Sequence, residues 1–218
     1  MKTNRISSDI ACLKTEEMPA ILISTRGFHC TVWQSTTIAI QGSKRTTIDF
    51  VIKKYHGPCS LREIEILYKD YLEIKSELEE MIPTAIFVPT LIEKIPSVVV
   101  LAETIYPWFN IANSSNEEEV IPLLKKLPKA KDQLERFLEA AKHWYRQDPP
   151  RVIDLYGIDN LVFDKNREIK YLDSFSVFFY EDLLYMVDDV DETLRERIEI
   201  SIKRMDYLEY ILQESKIP

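Results

Sequence analysis

The sequence predicts an α+β protein. Three observations carry this: a first half that reads β-β-β-α-β-β, a second half that is mainly helical, and a short hairpin set inside that helical half. The chain has 218 residues, enough for one domain with a substantial core or for two small lobes. Hydrophobic residues make up 45% and charged residues 29%, the composition of an ordinary soluble globular protein.

Residues 20–23 (AILI) and 28–40 are rich in Ile, Val, Thr and Trp and read as strands, with Gly27 between them. TTIDFVIKKY, residues 46–55, alternates as a third strand does. HGPCS then breaks the pattern. Ser60 with Glu63 three residues on forms a capping-box signal, and a helix follows to about Met81. Leu61, Ile64, Leu67, Tyr68, Tyr71, Leu78 and Met81 supply its apolar face, and Pro83 ends it. Residues 84–93 and 97–105 read as two further strands, the second a continuous apolar run of the buried kind. The polar stretch Asn113–Asn116 is the best internal linker candidate. Helices are expected over 117–127 and 130–146, a hairpin over LVFDKNREIKYLD with its turn near Asp164–Arg167, and an amphipathic helix from Asp191 to Gln213.

The net charge of −8 disfavours blanket binding of nucleic acid. No apolar run approaches eighteen residues, so no membrane span is expected. The opening MKTNRISSDIACLKTEE lacks the apolar core and small-residue cleavage site of a standard secretory signal, though an address read by a specialised secretion machine is compatible with it. Cys12, Cys30 and Cys59 fit no zinc spacing, and three cysteines suit a reducing compartment such as the cytoplasm. His29, His56 and His143 are scattered and give no metal cluster.

The densest chemical signal is DLYGIDNLVFDKNREIKYLDSF, residues 154–175. It places Asp154, Asn160 and Asp173 around one hairpin, with Asn160 and Asp173 thirteen positions apart, so that two oxygen-bearing side chains can converge on one cation. This block resembles the catalytic loop, hairpin and metal-binding segment of the protein-kinase superfamily. FVIKKY, residues 50–55, is similar to that superfamily's third strand, and LREIEILYK to the start of its C helix. STRGFHCTVW resembles a reduced phosphate-covering loop, and VVVLAETI the fifth strand running into the hinge.

The resemblance spans residues 20 to about 182 and implies a two-lobed fold in a single domain, 1–218. A five-stranded antiparallel N lobe with its C helix would cover about 18–105, and a reduced, mostly helical C lobe about 106–218. It also implies ATP and Mg2+ as cofactors. Asp154 is then the carboxylate that orients or deprotonates the acceptor hydroxyl, and Asn160 and Asp173 are the magnesium ligands. Lys53 is the phosphate-binding lysine, Lys54 pointing to the other face, and Glu63 is its partner, with Glu65 and Glu73 as alternatives. Gly27 and Val32 lie in the phosphate loop, and Glu103 and Thr104 at the hinge. The implied activity is transfer of the γ-phosphoryl group of ATP to Ser, Thr or Tyr of a protein substrate, as in minimal kinases of the bacterial-effector or phage type. Such a kinase is either resident in the cytoplasm or delivered into a host cell.

Departures from the family pattern are specific. The Asp-to-Asn spacing is six residues rather than five, which keeps Asp159 open as an alternative base. Val152 and Ile153 stand where His and Arg are usual, Thr25 and Cys30 replace two loop glycines, and no Ala-Pro-Glu segment occurs. These features keep two alternatives open: a pseudokinase that serves as a partner-binding module, and a kinase-fold transferase that moves AMP or modifies a small molecule.

Overall fold

A computed structural model describes residues 19–25, 29–182 and 192–217. Gly27 and most of the acidic run 188–192 lie outside the described residues. The protein is α+β, with a five-stranded antiparallel sheet and, among the described residues, four α-helices. Two compact units divide the chain. One takes the residues up to Lys69 and Pro83–Thr104; the other takes Asp70–Ile82 and Ile105 onward.

The first unit is built on β1 (Ala20–Ser24), β2 (Cys30–Gln41), β3 (Lys44–Tyr55), β4 (Ala85–Ile92) and β5 (Ile95–Glu103), in sheet order β1-β2-β3-β5-β4. Every neighbouring pair is antiparallel. Period-two alternation sets what each face carries. Ala20, Trp33, Ile52 and Val99 form a buried cluster, joined by Leu22, Phe50, Ile92 and Leu101. The β4–β5 hairpin turns at Glu93 and Lys94, both at positive φ (54° and 68°), as a two-residue turn requires. Between β3 and β4 runs α1 (Leu61–Leu78). Its N-terminus is closed by the expected capping box: the Ser60 amide donates to Glu63 Oε2 at 2.6 Å, and the Glu63 amide to Ser60 Oγ at 3.3 Å.

α1 is shorter than its periodicity suggests, because Glu79–Met81 tightens into a 3-10 turn. The stripe also differs from expectation. Ile64, Tyr71, Leu78 and Met81 are buried as expected and Ile74 joins them, but Leu61 and Tyr68 are exposed. Tyr68 instead leans its ring on Phe87.

The second unit holds the C-terminal half of α1, β6 (Pro107–Asn110), α2 (Glu117–Lys126), α3 (Pro128–Tyr145), β7 (Arg151–Ile153), β8 (Leu161–Asp164), β9 (Ile169–Tyr171), β10 (Phe178–Tyr180) and α4 (Glu192–Lys216). A three-stranded sheet runs β6-β8-β9, and β7 pairs with β10. The β8–β9 hairpin turns where expected: Asp164 accepts from the amides of Asn166 and Glu168, and Arg167 takes φ 62°. Strands β6, β7 and β10 are three or four residues long and carry too little pattern to stand out in sequence. The polar stretch Asn113–Asn116 is no linker. It forms a 3-10 turn inside this unit, Asn113 capping it, and the division between units falls after Thr104.

Charged contacts fix the C-terminal half of α1 within the second unit. Arg151 grips Glu73 with two nitrogens, at 2.7 and 2.5 Å, and the Tyr180 hydroxyl donates to the buried Asp70. Arg136 reaches Glu79, Glu80 and the Leu78 carbonyl.

Candidate functional site

The site is built in the second unit from the loop after β7, the residues just before β8, and the turn after β9. Asp154 directly follows β7, and its amide donates to the Val177 carbonyl at 2.8 Å. The carboxylate turns back on its own loop and accepts the Tyr156 amide at 2.7 Å. Asp154 is buried, and burial together with the negative charge of Asp173 pushes its carboxyl up to about 7. Amides of Tyr156 and Gly157 and the charge of Arg197 oppose that rise without cancelling it.

Asn160 docks on the same loop. Its Nδ2 donates to the Asp154 carbonyl at 3.0 Å, and its own carbonyl accepts the Leu172 amide at 2.8 Å. Gly157 makes this placement possible: a Cβ there would stand 2.4 Å from Asn160 Oδ1 and 2.8 Å from Cγ. The loop thus folds Asn160 directly over a glycine. Asp173 follows β9, and its Oδ1 accepts the amides of Ser174 at 2.7 Å and Phe175 at 3.1 Å, a local turn that fixes the carboxylate. Phe175 is fully buried beneath it.

Several residues that fix this loop were not evident in sequence. The Tyr171 hydroxyl donates to the Asp154 carbonyl at 3.0 Å from a fully buried ring. From α4, Ser201 Oγ accepts the Leu155 amide at 3.1 Å, while Arg204 donates to the carbonyls of Leu155 and Tyr156. Arg197, one turn before Ser201, lays its guanidinium over the Tyr156 ring at 5.5 Å. The available signal was a buried serine and a buried arginine on the apolar stripe of α4, beside Ile198, Met205 and Leu208. Asp159, the alternative base, is exposed and accepts the Asn110 side-chain amide at 2.6 Å.

The donor set of Asp154, Asn160 and Asp173 consists of hard oxygens. It suits magnesium, which takes one or two carboxylates together with substrate phosphate and water. Asn160 commits its nitrogen to the loop, which leaves its oxygen as the metal-competent atom, and the Asp173 turn uses Oδ1 and not Oδ2. Among the described residues, no group of three or more His, Cys, Asp or Glu side chains is arranged to hold a metal without such help.

The remaining expected residues, Glu73 apart, belong to the first unit. Lys53 stands on β3 directly between Val32 on β2 and Val100 on β5, and is buried. Lys54 takes the opposite face, its ammonium 5.9 Å from the Trp33 ring centre. Glu63 is exposed, engaged in the capping box, and held below the usual carboxylate range by its hydrogen bonds with Ser60. Of the alternatives, Glu73 is paired with Arg151 and Glu65 is exposed. Glu103 closes β5, its amide donating to the Thr84 carbonyl, and Thr104 follows it. No helix among the described residues is long and apolar enough to cross a membrane. No protein-family model matches the chain, and no curated protein matches it.

Proposed function

We propose that the chain is a phosphotransferase of the protein-kinase type that moves the γ-phosphoryl group of ATP to a hydroxyl of a protein substrate. The observation that carries the proposal is the convergence of Asp154, Asn160 and Asp173. Three residues spread over twenty positions meet around one loop, where burial first and the negative charge of Asp173 second hold the proton on Asp154. A purely structural hairpin has no need of that repulsion, which costs stability. The five-stranded antiparallel sheet, the helix after its third strand and the buried Lys53 on that strand agree with a two-lobed kinase-like fold.

In this reading Asp173 and Asn160 hold magnesium, which when bound neutralises charge on the transferring phosphate. Asp154 receives the acceptor hydroxyl, orients it and takes its proton; a carboxyl titrating near neutrality is well matched to that task. Lys53 holds the phosphates of the nucleotide. A second reading, a nucleotide-binding module without transfer, is favoured by one observation: the Glu63 carboxylate is committed to the Ser60 amide.

The test is magnesium-dependent label transfer from γ-labelled ATP to proteins of a cell lysate. Transfer supports the kinase. Nucleotide binding without transfer supports the module, and label passed from α-labelled ATP supports an AMP transferase.

A further inference from the structure

We infer that the exposed residues of the edge strand β6, together with the β8–β9 turn, are a docking surface for a short acidic segment of a partner polypeptide. The aromatic run Tyr106-Pro107-Trp108-Phe109 forms β6 and the residues leading into it. Trp108 is 51% exposed and Tyr106 39% exposed. Trp108 packs against Phe109 and Phe163, whose ring centroids lie 6.1 and 6.5 Å from its own.

The hairpin turn lays two cations on these rings. Arg167 sits 5.7 Å over Trp108 and Lys165 4.6 Å over Tyr106. Neither makes an ion pair among the described residues. The turn is fixed in advance: Asp164 is buried and spends its carboxylate on the Asn166 and Glu168 amides, and the Lys165 amide donates to the Tyr106 carbonyl at 3.1 Å. The adjacent Glu168 is already shared between Lys129 and Lys170, so it does not offset the two ring-bound cations.

A rigid, locally cationic ledge on a chain of net charge −8 selects for a small anionic partner rather than a long polyanion, which the rest of the surface repels. Exposed Trp, Tyr and Arg are also the residue types that most often anchor interfaces. The chemistry fits carboxylates placed on Lys165 and Arg167 with an apolar side chain against Trp108. This inference does not depend on catalysis.

Trp108 gives a selective readout, because Trp33 and Trp144 are buried. The full chain is titrated with the peptide Glu-Asp-Phe-Glu-Asp-Leu-Glu-Asp, with its amide counterpart Gln-Asn-Phe-Gln-Asn-Leu-Gln-Asn, and with an oligothymidylate. The expected result is a tryptophan fluorescence change with the acidic peptide that weakens with salt. The amide peptide and the Arg167→Glu variant should each bind at least about tenfold more weakly. Preference for the oligothymidylate, no binding of the acidic peptide, or binding indifferent to Arg167→Glu would overturn the inference. Trp108→Phe, a mild change at a half-exposed site, should remove the signal while calorimetry still records binding; a signal that persists would place the peptide elsewhere.

Discussion

Asp154 shows how much of the site is set by single residues and their immediate surroundings. Its carboxyl ordinarily titrates near 3.8 and is raised to about 7 in the folded chain, by burial first and by Asp173 second. Between those values the unfolded state has lost a proton that the folded state keeps. This contribution to stability is therefore full below about pH 4 and disappears as pH rises through about 7. Asp154→Asn should accordingly raise the melting temperature at pH 8 relative to wild type, gain little at pH 4, and abolish transfer. Equal effects at both pH values would mean that Asp154 is not held protonated. Gly157→Ala tests the neighbouring placement. The added Cβ meets only the end of the Asn160 side chain, so the fold should survive with a loss within about 1 kcal/mol, while Asn160 is displaced and magnesium-dependent activity drops sharply. Unchanged activity would remove Asn160 from the site. This part of the site was legible in sequence because its members fall within one short block, where the hairpin alone dictates who meets whom. The contact between Gly157 and Asn160 is visible only with the backbone in place.

At the scale of elements, the capping box of α1, the alternation that sends Lys53 and Lys54 to opposite faces, and the Asp164–Arg167 turn could all be read locally, since each depends on neighbours within four residues. What each helix binds could not. The sequence offers Glu73 as a possible partner for Lys53, yet Arg151, seventy-eight positions away, engages it, and no local pattern encodes that choice. The same holds for α4, whose Ser201 and Arg204 secure the backbone around Asp154. Arg204→Met keeps the aliphatic stem but removes the two carbonyl contacts. Stability should fall by about 1–3 kcal/mol, the usual cost of losing hydrogen bonds to a charged group. The turnover rate should fall well beyond what the unfolded fraction explains, with KM for ATP little changed. A rate that follows the folded fraction alone would make Arg204 merely structural.

For the whole molecule, composition and charge narrowed the choices without choosing among them. The α+β class and the antiparallel sheet followed from patterning over a hundred residues, and the two compact units from neither patterning nor loop composition, since the division falls beside an apolar strand and not at the polar stretch Asn113–Asn116. The account stands on phosphoryl transfer that needs the Asp173 carboxylate. The most direct test is transfer from γ-labelled ATP by purified wild-type protein and Asp173→Ala, with magnesium and with magnesium chelated, after calorimetry has shown that both proteins fold. Wild type should label an acceptor only when magnesium is present, and Asp173→Ala should lower that rate at least about a hundredfold at equal folded concentration. Labelling that survives the substitution, or that ignores magnesium, would contradict the assignment of the site.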